Sequence, residues 1–475
     1  MYKASNASKA TEFQDKYLKL RLDYTGFPLA HDYLFDTELV SKIIDDLVCG
    51  KAVGLDGISS EHLKNCYPSI SCILAKLFNL MLLYSYVPSD FGRSYIVPLP
   101  KAKEARCTAM SFADFRGIAI SPILSKIFER CILDRFGKFF VSPENQFGFK
   151  KNLGCDHAIY TMRKTIDHLV TGGHTVNLCS IDLSKAFDKT NHHALFIKLI
   201  RRHLPVNLLD TLEYWLKHCW SCVKWFDCFS QFFHINFGLR QGSVLSPVLF
   251  AIYVDDILIS RQRSLHSAII LYADDILLIS PSLCELQNMF SECERKLCDL
   301  DMSINAKKSC CLRIGPRFDL VCCNIMSISG CALPWVTQSR YLGIYLLSSR
   351  TFSCSLDIAK RKYFRSLNSI FGKVGRSASE EVTLQLVSSK CLPILLYGAE
   401  VCGLKNQDIR SLDFVVNRFL MKLFKTNNIN IIRDCLAYFN FNLPSTLLVS
   451  RYNNFMLKYR SCDNFLCKLV VKLTA

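Results

Sequence analysis

No uncharged apolar run in this sequence reaches about 18 residues, the shortest helix that crosses a bilayer, so no transmembrane segment is expected. The opening stretch, MYKASNASKATEFQDKYLKL, lacks the apolar centre of a secretory signal. The expected location is therefore intracellular, nuclear or cytoplasmic, and not secreted. No Cys-x2-Cys pair is matched by a second such pair or by a histidine pair at zinc-site spacing, which argues against a structural zinc. No internal repeat is present, which argues against a solenoid. Acidic residues are the scarce charge: 41 Asp and Glu face 58 Lys and Arg, a formal net charge of +17. That surplus points to a polyanionic partner, most simply nucleic acid, with a merely basic soluble protein as the plainer alternative.

Apolar residues, by contrast, are plentiful. Half of the 475 residues are hydrophobic and 12% are aromatic, enough for a sizeable core and against large-scale disorder. Length alone allows two to four domains or subdomains. The 24 cysteines do not suggest a disulfide framework in a chain this long, and adjacent pairs such as Cys310 with Cys311 and Cys322 with Cys323 suit reduced thiols in a core.

Periodicity divides the chain. Residues 1–45 read as a polar lead-in. SYIVPLPKAKEA reads as extended, with prolines that suit an edge or a turn. A basic amphipathic helix is expected after Pro122, and another after the Gly-containing basic loop of ENQFGFKKNLGCDHAIYTMRK. In TVNLCSIDLSKAF, Val176, Leu178 and Ser180 alternate with Asn177, Cys179 and Ile181 as in a strand, and the pattern turns helical from Ser184. Asp182 thus stands at a strand end, where the strand fixes its direction. From residue 355 onward, Lys, Arg, Phe and Tyr recur at helical spacing. They read as a nucleic-acid grip or, more plainly, as an amphipathic helical domain with the aromatics inside.

Tyr-x-Asp-Asp occurs twice, in AIYVDDILIS and in LYADDILLIS. Paired acids among apolar residues are costly unless compensated. The first pair, Asp255 and Asp256, follows SVLSPVLF, where Ser246 suits an N-cap and Pro247 the first helical position, so it falls near a helix end. Acids there meet the unfavourable end of the helix dipole, and solvent exposure of at least one is the plain account. Around the second pair, Ile269, Ile270 and Leu271 precede and Ile276, Leu277, Leu278 and Ile279 follow. Two short strands joined at Ala273, Asp274 and Asp275 fit best, a hairpin with acids at its tip. An Asp-Asp turn without Gly or Asn is poor hairpin chemistry, so these acids serve something else. If Asp182 converges on Asp274 and Asp275, three carboxylates repel unless divalent cations lie between them. Oxygen-only ligands suit Mg2+ or Mn2+, the arrangement of two-metal phosphoryl transfer.

These blocks carry a resemblance. SIDLSKAFDKTNHHAL, GLRQGSVLSPVLF, LYADDILLIS, INAKKS and SRYLGIYL, in this order, resemble the palm motifs of a reverse transcriptase. KAVGLDGI, FRGIAISPILSKIFE and NQFGFKKNLGCDHAI precede them and resemble the fingers-side blocks of non-LTR (LINE-type) retrotransposon enzymes. The resemblance implies an α+β right-hand polymerase: fingers over 46–175, a palm with a ferredoxin-like antiparallel sheet over 176–350, and a helical thumb with a C-terminal extension over 351–475. It implies an RNA-directed DNA polymerase that adds deoxynucleotides to a primer 3′-hydroxyl, from an element using target-primed reverse transcription. Its partners would be an RNA template, a DNA primer or target, and deoxynucleoside triphosphates. Asp182, Asp274 and Asp275 resemble the acids that bind two Mg2+ ions, with Mn2+ as a substitute. Phe187 resembles the aromatic that closes off the sugar 2′ position, and Gln241 with Gly242 the lining of the nascent base-pair pocket. Lys308 resembles the lysine that approaches the leaving pyrophosphate, with Lys307 as competitor. Arg116 and Lys126 resemble contacts to incoming phosphates. Tyr341, Leu342 and Gly343 resemble the primer-gripping hairpin. Each has a plainer reading: a core Phe, a turn, a solvated Lys, surface charges.

Departures from the family pattern are Gly117 where proline is usual, Lys150, Lys151 and Cys155 in the basic loop, and Arg240 where proline is common. None removes a catalytic carboxylate. Neither an endonuclease before residue 50 nor a knuckle after residue 400 is expected. The competing reading is a catalytically degenerate remnant that only binds nucleic acid. A maturase or telomerase-like polymerase is a third, without a signal for the extra domains those carry.

Overall fold

Alternation and β-branched residues place the strands, and chain-distant pairing builds the sheets. The computed structural model describes residues 6–66, 68–101, 111–184, 186–258, 267–374 and 377–474. Nine strands concern the site: β1 (Arg93–Pro100), β2 (Phe115–Ile120), β3 (Val176–Ile181), β4 (Trp220–Trp225), β5 (Cys228–Phe229), β6 (Phe233–His234), β7 (Ala268–Tyr272), β8 (Asp275–Ser280) and β9 (Cys310–Ile314). The chain divides into two compact units. The first comprises Met1–Pro143, Leu183–Ile259 and Cys293–Ile304, and the second Glu144–Asp182, Ser260–Glu292 and Asn305–Ala475.

In the first unit, the sheet runs β2-β1-β4-β5 with β6 on β4. The prolines of β1 have their explanation in the register. β4 pairs with β1 only over residues 93–96, so Pro98 and Pro100 need donate nothing on that side, while they face Gly117 and Phe115 of β2. Gly117 sits in an unbroken strand, and a side chain there would crowd Ile96. The helix after Pro122 forms as expected, over Ile123–Arg135. Its Phe128 lies edge-on to Phe35, with ring centroids 6.0 Å apart, and against Trp215, in a buried aromatic core.

In the second unit, the sheet order is β7-β8-β3-β9, every neighbour antiparallel. Counted along the chain that is 2-3-1-4, the order of the split β-α-β arrangement. β3 is central and buried nearly throughout, and Val176 and Leu178 join Leu277, Ile279, Leu312 and Ile314 in one core with Ile159, Met162 and Ile166 of the helix Cys155–Thr171. Each such buried aliphatic stabilises by about 1.5–3 kcal/mol relative to exposure, which fixes the register of β3 and hence where Asp182 emerges.

The stretch beyond residue 355 is helical, as its period requires, with Asp357–Val374, Asn406–Leu423, Pro444–Arg460 and Phe465–Thr474 the longest helices after residue 350 apart from Ile429–Tyr438. Many of its aromatics are core: Tyr363 and Phe419 in one cluster, Phe455 and Tyr459 in another. Phe414 and Tyr438 stay exposed.

Two local expectations are corrected. The described cysteines are all free thiols, yet Cys323 is exposed and Cys322 only half-buried, because they lie in a loop outside the core strands. The helix after residue 245 is Ser246–Tyr253, with Leu245 at the cap position and Ser246 already inside. Its capping comes from elsewhere, as described below. Among the described residues no helix is long and apolar enough to cross a membrane.

Candidate functional site

The second unit carries the acids. β3 pairs with β8 from Asn177 against Ser280 to Ile181 against Ile276. Asp182 and Asp275 each stand one residue past that last pair, so the antiparallel register brings them opposite one another. Tyr272 pairs with Asp275, leaving Ala273 and Asp274 as the two-residue hairpin loop. The strand-end acid and the acid-tipped hairpin expected from the sequence therefore both form, on adjacent strands.

Asp182 is held by the segment 305–309. Its backbone N–H donates to Ser309 Oγ at 3.1 Å, and its carbonyl accepts from the Asn305 N–H at 2.8 Å. Asn305 Nδ2 donates to Asp182 Oδ2 at 3.1 Å, and Lys308 Nζ lies 3.5 Å from the same oxygen. Ser309, fully buried, donates its own hydroxyl to the Asn305 carbonyl at 3.0 Å. Lys308, rather than Lys307, is thus the lysine paired with Asp182. Its side chain is 63% exposed, against 35% for Asp182, so this ion pair is a weak and movable one. Asn305 and Ser309 were not singled out from the sequence. Their only trace there is a polar run after a helix, which reads as a loop.

The acid turn is strained and braced. Ala273 has φ +60, a left-handed conformation that residues with a side chain rarely adopt. The segment 145–148 lies along β7 as an added rung: the Phe147 N–H donates to the Leu271 carbonyl at 2.8 Å, and the Leu271 N–H to the Asn145 carbonyl at 2.9 Å. From it, the fully buried Gln146 accepts from the Ala273 N–H at 3.0 Å and from the Gly148 N–H at 2.9 Å. Gly148 is obligatory for a different reason, since a Cβ there would lie 2.5 Å from the Ala273 nitrogen. The basic-loop block NQFGF is therefore the brace of the acid turn, a role its sequence alone did not show.

Tyr341, Leu342 and Gly343 sit at the turn of a second hairpin, with Tyr341 paired to Ile344. Leu342 and Gly343 have φ +44 and +90, the signs of a type I′ turn. Tyr397 donates its hydroxyl to the Leu342 carbonyl at 3.2 Å, and its ring leaves no room for a side chain at 343. Tyr341 is buried, its hydroxyl without a hydrogen-bond partner among the described residues, and burial together with the Asp275 charge pushes its pKa well up.

The first unit carries the remaining residues. Phe187 stacks on Phe250, centroids 4.4 Å apart. Gln241 offers its carbonyl to the Ala119 N–H at 2.7 Å and its side-chain amide to Asp188 at 3.4 Å. Gly242 has φ +130, and a Cβ there would come within 2.2 Å of the Ala119 carbonyl oxygen. Only glycine fits. Arg116 is exposed on β2. Lys126 is half-buried, its pKa lowered first by burial and raised in part by Glu129.

The acids fit divalent cations in donor chemistry, all being carboxylate oxygen. Among the described residues no three His, Cys, Asp or Glu side chains form a group that could hold a metal ion by themselves. A magnesium ion takes one or two carboxylates from a protein when substrate phosphates supply the rest, and the facing positions of Asp182 and Asp275 match that number.

Comparison with known proteins agrees in family. The family model described as "Reverse transcriptase (RNA-dependent DNA polymerase)" matches residues 100–346. A probable RNA-directed DNA polymerase from transposon X-element of Drosophila melanogaster is 26% identical over 85% of this chain and 45% of its own length. One from transposon BS of the same organism is 24% identical over 77% of this chain and 42% of its own. The RNA-directed DNA polymerase from mobile element jockey of Drosophila funebris is 23% identical over 77% and 41%. The chain spans less than half the length of these curated relatives. Among solved structures, a truncated apo telomerase from Candida tropicalis matches with TM-score 0.37 and 12% identity, over 64% of this chain and 63% of that one. With the family model covering more than half of the chain, this protein belongs to the reverse transcriptases.

Proposed function

We propose that the chain is the polymerase part of a retroelement protein and adds deoxynucleotides to a primer 3′-hydroxyl under the direction of an RNA template. The reading assigns residues 1–45 to a lead-in, 46–175 to fingers, 176–350 to the palm and 351–475 to a helical thumb. The priming hydroxyl would come from nicked target DNA. The observation that carries the reading is the register of β3 against β8, with Asp182 and Asp275 one step past the Ile181–Ile276 pair.

Asp182, Asp274 and Asp275 would hold two Mg2+ ions, or Mn2+. When bound, these supply Lewis-acid activation of the attacking hydroxyl and charge stabilisation at the leaving pyrophosphate. The chain's own residues do the rest. Asn305 and Ser309 aim the Asp182 carboxylate. Gln146 and Gly148 hold Asp274 at the tip of its turn. Lys308 Nζ, exposed and already next to Asp182, delivers a proton to the departing pyrophosphate oxygen. Phe187, backed by Phe250, presents a flat ring to the sugar and disfavours a 2′-hydroxyl. Gln241 and Gly242 line the base pair being formed, and Arg116 and Lys126 meet phosphate charge. Tyr341, Leu342 and Gly343 steady the primer end. The surplus of positive charge suits the backbone of a template–primer hybrid, read by shape and not by sequence.

Primer extension on poly-rA with oligo-dT and Mg2+ tests the reading. Activity that disappears in Asp274→Ala while RNA binding persists supports the polymerase. Equal inertness of wild type and variant, with RNA still bound, would leave a nucleic-acid-binding remnant instead.

A further inference from the structure

The most deeply buried acid of the first unit has no part in the roles assigned above. Glu129, on the helix Ile123–Arg135, is 1% exposed. Its Oε2 accepts from Ser243 Oγ at 2.8 Å, from the Leu245 N–H at 2.9 Å, and from the Val244 N–H. These three donors belong to the loop that follows Gln241 and Gly242 and opens the helix Ser246–Tyr253. A carboxylate from another helix thus serves as the cap that Ser246 was expected to supply.

Burial pushes the Glu129 carboxyl up, and the Arg240 guanidinium pulls it back. Arg240, itself buried, is fixed in turn by the Phe91 and Gly92 carbonyls at 3.4 and 3.3 Å, and it lies over the Trp215 ring at 5.9 Å. On the other side of Gln241 and Gly242, Ala119 contributes its N–H to the Gln241 carbonyl and crowds Gly242 with its own carbonyl. One stretch, residues 119–129, therefore clamps the loop at both ends. Capping alone does not require this. A serine cap costs no buried charge, and Ser243 already accepts from the Ser246 N–H at 3.3 Å. A buried, hydrogen-bonded acid is an expensive device whose return is a single geometry for the backbone it holds.

We infer that Glu129 is a positioning residue for nucleotide selection: its carboxylate, countered by Arg240, fixes the loop 241–245 so that Gln241 and Gly242 meet the incoming deoxynucleotide in one conformation. This rests on the polymerase reading. It makes Arg240, a departure from the family pattern, the counter-charge of the device.

Three variants test it, Glu129→Gln, Glu129→Ala and Ile127→Val, the last a core change on the same helix that leaves the loop alone. Hydrogen exchange at the Val244 and Leu245 amides needs no activity. It should quicken in Glu129→Gln and more so in Glu129→Ala, and stay at the wild-type rate in Ile127→Val. In primer extension, KM for the deoxynucleotide should rise about tenfold in Glu129→Gln, the scale of one lost hydrogen bond to a charged group, with kcat little changed and misincorporation increased. Glu129→Ala should exceed it in the same direction. Unchanged exchange overturns the inference, as does an equal fall in kcat with KM constant. If the wild type extends no primer, the polymerase reading falls and nucleotide selection with it, while the exchange measurement still decides whether Glu129 holds the loop.

Discussion

Asp255 with Asp256 and Asp274 with Asp275 share a Tyr-x-Asp-Asp motif and live in opposite physical settings. The first pair follows the end of the helix Ser246–Tyr253. Asp255 is 7% exposed and accepts from Lys198 at 2.8 Å and from Arg202 at 2.5 Å, and Asp256 lies 3.0 Å from the same Lys198. Lys198 also donates to the Ile252 and Tyr253 carbonyls, at 3.2 and 2.6 Å. It thereby neutralises the negative helix end that makes acids unwelcome there. The second pair sits half-buried at a strand tip, opposite Asp182, on a strained turn braced by Gln146. A buried lysine and a half-buried arginine satisfy the first pair. The Gln146 side chain braces the turn that carries the second. Motif identity thus says less than where the chain has put the compensating groups.

The comparison breaks most sharply under exchange of roles. Asp274→Asn should lower primer extension by about a thousandfold or more, the scale of lost transition-state charge stabilisation, with the unfolding midpoint nearly unchanged. Asp255→Asn should do the reverse. It leaves the buried Lys198 and the half-buried Arg202 without their counter-charge, a loss of about 3–5 kcal/mol in urea unfolding, while kcat per folded molecule stays near wild type. If Asp255→Asn silences the enzyme without destabilising it, the two pairs have been assigned the wrong way round.

What could be read in advance follows the same divide. Period-2 alternation gave β3 and the position of Asp182, and apolar runs on either side of Ala273 gave the hairpin. Pro122 marked a helix start. These signals are local. Glu129 with Val244, Gln146 with Ala273 and Asp182 with Asn305 join residues more than 100 apart, and no period records such a meeting. The Ser246 cap was misplaced for this reason: the helix takes its cap from a distant acid, which frees Ser246 to enter the first turn. Exposure was expected for at least one acid of the first pair, and Asp256 is 40% exposed, whereas Asp255 is buried because Lys198 and Arg202 reach it from the helix His192–Arg201 and its cap. Lys198 and Arg202 carry nothing in sequence to mark them as its partners.

Acid should separate the two settings again. His192 opens the helix that carries Lys198, is buried, and shares a 2.7 Å hydrogen bond with the Gly238 carbonyl. Burial lowers its pKa to about 4 from an ordinary 6.5, against that hydrogen bond. Between those values the unfolded chain binds a proton that the folded chain refuses. Stability is therefore complete above pH 6.5 and falls as pH drops to 4, by about 3 kcal/mol in all. Urea midpoints at pH 7, 5.5 and 4 should trace this limb, and His192→Gln should flatten it. A slope equally steep in the variant would assign the acid loss to other groups.

A smaller loss of stability than at Asp255 should come from the brace of the second pair, and it sharpens the comparison furthest. Gln146→Ala removes an acceptor from two backbone N–H groups, a cost of about 1–3 kcal/mol where neither finds water. The consequence for chemistry should be larger than for stability. Ala273 loses what holds its left-handed conformation, the turn relaxes, and Asp274 moves with it. A displacement near 1 Å at a reacting centre costs about a hundredfold in rate. Primer extension should fall on that scale in kcat, with RNA binding intact and the unfolding midpoint shifted by only a few degrees. Should activity fall only as far as the folded fraction does, the strain at Ala273 is incidental, and the second pair would be held no differently from the first.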